Sequence, residues 1–155
     1  MKILGEKGLG RILKVFLQAC FWGGIVLLII WPFQLKLFGL EPNAIGLVIY
    51  PNGIALLAIV YQFIGLFDSL KNNNPFCMEN VQLMKNAGIA SLVEAVLWGI
   101  DLIYEVVLAK GMEPLFIAVL AFLFILFTGV AIALYILSEL FKQATEYKTE
   151  NELTI

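Results

Sequence analysis

Ala87-Gly-Ile-Ala-Ser-Leu-Val-Glu94-Ala-Val-Leu-Trp98-Gly-Ile-Asp101-Leu-Ile-Tyr-Glu105-Val-Val-Leu-Ala109 is the stretch on which the fold turns. It is long enough to cross a bilayer, which takes about 20 apolar residues in a helix. It also carries three acids. Read as a loop, it leaves three membrane spans and termini on opposite sides. Read as a span, it gives four and brings the chain back across. Ala, Val, Leu, Ile and Trp fill the rest of the stretch and offset the acids, so we read it as a span.

The stretches on either side need no such weighing. Val15 to Phe33 has no charge, and none lies between Glu41 and Asp68 or between Glu113 and Glu139. The reading is an all-α integral membrane protein, an antiparallel four-helix transmembrane bundle forming one membrane domain. Its spans cover about residues 12–33, 46–68, 87–109 and 114–141, with a loop at 69–86 and a tail at 142–155. A membrane β-barrel would need many segments of about ten residues with alternating polarity. Lipid offers the backbone no hydrogen-bond partners, so each continuous apolar stretch must satisfy its own as a helix.

Composition agrees. The 155 residues are 61% hydrophobic and 14% charged, with a mean hydropathy of +0.93, against about 25% charged for a soluble domain. A net charge of −2 without a basic patch argues against direct nucleic-acid binding. There is no His, which removes the usual general base and the commonest metal ligand.

Orientation follows from the cations. With the N-terminus inside, Lys2, Lys7, Arg11, Lys14, Lys71, Lys85, Lys142 and Lys148 face the cytoplasm, and only Lys36 and Lys110 lie outside. Both termini are therefore expected in the cytoplasm. The apolar run through Phe21 to Phe33 lacks a small-residue cleavage site, so it reads as a span and not a signal peptide. Cys20 falls in span one and Cys77 in the cytoplasmic loop, which reads as two unpaired thiols. Pro51-Asn52-Gly53 interrupts span two. Either that span is kinked there, or its regular helix starts near Asn52.

The acids of span three share a face. At 100° per residue, Asp101 and Glu105 fall within about 20° of Glu94. Ser91 and Trp98 lie nearby, and Ala87, Ser91, Ala95 and Gly99 put a small residue at every fourth position. That stripe lets another helix approach closely, within the chain or in a homo-oligomer. A carboxylate at depth costs roughly 2.5–3.5 kcal/mol, so this face needs partners or water. Gln18, Cys20, Asn52, Tyr61, Gln62, Thr128 and Tyr135 are candidate partners. Two readings stand side by side. In one, Glu94, Asp101 and Glu105 form an intramembrane polar site for a cation, a proton or a cationic peptide. In the other, Glu94 lies near the inner interface, Glu105 near the outer one, and Asp101 alone is deep and hydrogen-bonded.

Catalysis finds no constellation. No catalytic residue, metal-ligand spacing, glycine-rich phosphate loop or cofactor motif is present, so the expectation is a protein that is not an enzyme and takes no metal or cofactor.

Two segments carry a resemblance. Residues 71–88 read Lys-Asn-Asn-Asn-Pro-Phe-Cys-Met-Glu-Asn-Val-Gln-Leu-Met-Lys-Asn-Ala-Gly, and the chain ends Lys-Thr-Glu-Asn-Glu-Leu-Thr-Ile. Together they resemble the bacterial membrane family known as domain of unknown function 2975, with its "N-P-F-[S/T]-x-E-N-V" loop and "E-N-D-L-T-[I/V]" terminus. Cys77 stands where the family has Ser or Thr, which weakens the expected helix N-cap; Glu152 replaces Asp. The resemblance covers nearly the whole chain and implies four spans in the bacterial cytoplasmic membrane. It implies no established activity. By association, it implies an Xre-type helix–turn–helix regulator as a cytoplasmic partner. The positions that match are Asn74, Pro75, Phe76, Glu79, Asn80, Glu150, Asn151, Leu153, Thr154 and Ile155, and they form the candidate partner surface. Alternatively, they cap the spans and pack against one another. The leading expectation is a sensor, sequestering anchor or immunity-type accessory working through that surface. The alternatives are cation, proton or peptide binding on the acidic face, and a structural subunit of a membrane complex.

Overall fold

The computed structural model describes residues 9–37, 44–71, 76–109 and 113–153. Four helices fill them: α1 (Leu9–Leu37), α2 (Ala44–Lys71), α3 (Met78–Tyr104) and α4 (Pro114–Leu153). A π-helical turn, Glu105–Ala109, continues α3. All four helices are long and apolar enough to cross a membrane. The large side chains left uncovered on their outer faces, such as Phe16, Ile29, Ile54, Ile103, Ile125 and Ile136, are apolar. In water such a surface would be an aggregation liability; in lipid it is the ordinary outside of a protein. The chain is a multi-pass membrane protein.

The helices pack in chain order, α1 on α2, α2 on α3, and α3 most extensively on α4. Named contacts show that each pair is antiparallel. From α1 to α2, Lys14 pairs with Asp68, Gly24 lies against Leu57 and Gly53 against Leu28. From α2 to α3, Gly65 meets Leu83 and Asn52 meets Asp101. From α3 to α4, Phe76 just before α3 stacks on Phe141, Gly88 meets Ala131 and Leu134, and Gly99 meets Phe124. Lys14, Lys85 and Lys142 therefore gather at one end, here called the basic end.

Small residues set the closest approach. A Cβ on Gly88 would stand 3.4 Å from the carbonyl oxygen of Ala131 and 3.5 Å from the Cβ of Leu134. Ala87, Gly88, Ser91 and Ala95 are buried. The stripe read from the sequence is thus used inside the chain, where it lets α3 seat on its neighbours.

Helix ends follow local chemistry. Cys77 occupies the N-cap of α3 with extended backbone (φ −140°, ψ 153°) and makes no side-chain cap bond. Its carbonyl accepts from the N–H groups of Asn80 and Val81, and its Sγ lies 3.5 Å from Ser69 Oγ. Glu79 in the first turn suits the positive end of the helix dipole. Pro114 opens α4, where a missing N–H costs nothing. Of the two readings of Pro51, the late start fails. The helix runs through it from Ala44, with one ladder hydrogen bond missing.

The α2–α3 register sets the levels of two of the acids. Asp101 meets Asn52 of α2, and Glu94 falls opposite a point between Asn52 and Gly65, so both lie along the charge-free run that ends at Asp68.

Candidate functional site

The face of α3 toward α2 and α4 carries the candidate site. Glu94 is 1% exposed, one of the most completely buried large side chains described. Its Oε1 accepts a hydrogen bond of 3.0 Å from Trp98 Nε1, one turn along. Its Oε2 has no partner among the described residues. Asp101, two turns from Glu94, is half-buried, and its Oδ2 accepts from Asn52 Nδ2 at 3.3 Å. Asn52 is itself buried, and its Oδ1 has no partner among the described residues. Glu105 opens the π-helical turn, part-buried, and its Oε2 likewise has no partner among the described residues. Single π turns recur at functional sites, because the extra residue re-aims the side chains around it.

The geometry therefore separates the three acids. Asp101 is tied to α2, Glu94 is tied to its own helix, and Glu105 sits at the helix end. Among the described residues no group of three Cys, Asp or Glu side chains converges as a metal site would require. Asn52 makes the contact that the sequence reading offered among several. Thr128 instead donates to the carbonyl of Phe124 in its own helix, and Gln18, Cys20, Tyr61 and Tyr135 face outward. Trp98 was noted only as a neighbour on the face. Its role as donor to Glu94 was available in the four-residue spacing, which puts both side chains on one stripe.

The second candidate surface lies at the basic end. Phe76 stacks on Phe141 with ring centroids 5.6 Å apart, yet stays 43% exposed. Glu79 is exposed, whereas Asn80 is wholly buried. α4 continues past its last apolar turns to Leu153, and residues Glu146 to Asn151 are exposed along it. Glu150 and Asn151 lie there; Leu153 ends the helix. Asn74, Pro75, Thr154 and Ile155 lie outside the described residues. Part of the loop motif thus packs as structure and part faces outward.

The profile of the family described as "Protein of unknown function (DUF2975)" matches residues 26–155. The chain belongs to this family. As a DUF2975 protein it takes from that membership no assigned activity. No curated protein and no solved structure matches it. The part of α1 before residue 26 lies outside the match.

Proposed function

We propose that this DUF2975 protein is a non-enzymatic anchor or sensor of the bacterial cytoplasmic membrane, with both termini in the cytoplasm, that holds a cytoplasmic protein partner. The observation carrying this reading is the length of α4. Its 40 residues make a rod of about 60 Å at 1.5 Å per residue, twice the hydrocarbon thickness of about 30 Å. The surplus lies at the basic end, where the positive-inside rule puts the cytoplasm. Thr145 remains buried and Phe141 is held by Phe76, so the projecting segment is braced at its base. Beyond it, Glu146, Tyr147, Lys148, Glu150 and Asn151 give an exposed, mostly polar helical segment of mixed charge. The partner implied by the family resemblance is an Xre-type helix–turn–helix regulator.

The test is to purify the tagged full chain from its native membrane alongside a form ending after Thr145. Retention of a cytoplasmic protein by the full chain alone supports the reading. Equal retention by both refutes it. A cysteine placed at Lys148 should react with an impermeant maleimide only after the cells are opened; labelling of intact cells would overturn the orientation.

A second reading rests on the unpartnered oxygens. Glu94 Oε2, Asn52 Oδ1 and Glu105 Oε2 are all acceptors. Between Glu41 and Asp68, and between Glu113 and Glu139, the sequence supplies no cation to meet them. Intramembrane acids without a basic partner mark ion or proton sites. The enclosure of Glu94 suits a small cation or a proton and not a peptide. Vesicles holding the protein should then pass cations or protons at a rate that Asp101→Asn changes; equal rates remove this reading.

A further inference from the structure

Asn52 leaves part of its hydrogen-bonding capacity unused. The side chain is 7% exposed and reaches from α2 to α3, where its Nδ2 donates to Asp101 Oδ2 at 3.3 Å. Its Oδ1, buried on the same amide, has no partner among the described residues. A buried acceptor left without a donor is costly, and so is a carboxylate within a spanning helix. One ligand answers both costs. A protonated carboxyl offers one O–H and keeps a carbonyl oxygen that accepts. An amide turned toward it offers the complement, one N–H and one carbonyl oxygen.

We propose that Asp101 and Asn52 together form a proton-binding site, in which a proton on Asp101 Oδ1 is donated to Asn52 Oδ1 while Asn52 Nδ2 still donates to Asp101 Oδ2. A hydronium ion supplies the proton and leaves as water, and the carboxylate becomes the acid. The site rests on the acidic-face reading above and narrows its ligand from any cation to the proton. The amide selects it, because Nδ2 already turns a hydrogen toward the carboxylate oxygen beside which a metal ion would have to stand. Among the described residues the titratable neighbours on α3 are Tyr104 and Glu105, one turn on, and Glu94, two turns back. From the other helices no charge faces it: none lies between Glu41 and Asp68 or between Glu113 and Glu139. Tyr50 and Tyr61 of α2 and Tyr135 of α4 are exposed. Asp101 stands about two helical turns from Ala109, where the π turn ends, and about six from Met78 at the basic end. In the proposed orientation the proton therefore enters from outside. Pro51, next to Asn52, removes one rung from the ladder of α2. The side-chain pair thus holds α2 where its own ladder is weakest, and proton occupancy sets how firmly α2 is tied to α3.

Asp68 and Asp101 are the only aspartates of the sequence, so the full chain labelled with carbon-13 at the aspartate carboxyl gives two signals. In vesicles of phosphatidylethanolamine and phosphatidylglycerol, infrared spectra are followed from alkaline to acid pH, and proton flux is measured on the same vesicles. The expected result is a labelled carboxylic-acid C=O band, absent from Asp101→Asn, at the lowered wavenumber of an acid whose carbonyl accepts and whose O–H donates. Asn52→Leu should move that band to higher wavenumber, the position of an unpaired acid, with circular dichroism unchanged. Sodium or potassium at fixed pH should leave it in place. Four results would each overturn the proposal: an Asp101 that stays a carboxylate down to the pH at which Asp68 protonates, a wild-type band already at the unpaired position, a band that Asn52→Leu leaves unmoved, or its loss on adding either salt. The first two need no variant that must fold. Flux separates this site from the reading it rests on. The band without flux keeps the site and removes transport; flux without the band removes the site and leaves transport to another group.

Discussion

Replacing Glu94 by Gln tests whether the buried acid is a structural group. Glu94 is 1% exposed, with a single protein hydrogen bond, from Trp98 at 3.0 Å. A charged side chain at the centre of a spanning helix costs about 2.5–3.5 kcal/mol on insertion scales. The bond from Trp98 returns about 1.5–3 kcal/mol if it is charge-assisted and about 1 kcal/mol if it is not. Gln keeps the volume and offers a carbonyl oxygen to the same Nε1, so it retains the weaker bond and removes the charge. The expected outcome is a gain in stability of about 1–3 kcal/mol. Glu94→Ala, in contrast, removes the acceptor and leaves a hole, and should cost about 2–4 kcal/mol, as large-to-small substitutions in packed sites do. Both can be read by titrating the protein in mixed micelles with a denaturing detergent and following circular dichroism. The reasoning is refuted if Glu94→Gln lowers stability by more than about 1 kcal/mol. Glu94 Oε2 would then be engaged by something that needs a carboxylate, and the cation reading would gain what the structural one loses.

Three further outcomes follow from particular contacts. Cys77→Ser should stabilise by about 0.5–1 kcal/mol, because a hydroxyl at an N-cap already in extended conformation can accept from the first-turn N–H groups; an unchanged midpoint in thermal unfolding would refute this. Lys14→Met removes the partly exposed pair with Asp68 and should cost less than about 1 kcal/mol, with the difference shrinking as salt rises; a larger, salt-independent loss would mean that the pair is shielded from solvent. Gly88→Leu forces α3 off the backbone of α4 and should cost about 3 kcal/mol or more, beyond the usual range for overpacking. Gly129→Leu, where nothing stands within 4 Å of the added Cβ, should be nearly neutral. Equal effects of the last two would contradict the α3–α4 register.

Much of the fold was legible in the sequence because hydrocarbon imposes few solutions. Charge-free runs such as the one between Glu113 and Glu139 can only be helices, and the three acids of α3 fell on one face by arithmetic alone. What the sequence did not show was the register between helices, a quantity that belongs to pairs of helices. Glu79 could be read as the first turn of a new helix, and the helix begins at Met78, but the burial of Asn80 could not be read from the sequence. For the candidate site, Asn52 could be named as one partner among seven, but only the crossing of α2 and α3 selects it. The seating of α1 on α2 had no signal at all. Gly24 and Gly53 are ordinary in membrane helices, and only the register brings them against Leu57 and Leu28.

The unequal packing of the four helices also sets how freely each can change over evolutionary time. No residue of the α1 window is fully buried, whereas more than a quarter of the α3 window is. Most positions of α1 answer only to the requirement of being apolar, and many sequences meet it. Positions 87, 88, 91 and 95 answer to shape, and few residues fit. A saturation library should therefore show α1 as broadly permissive and α3 as intolerant on its small face. Distant relatives would be found more readily by their third helix than by their first.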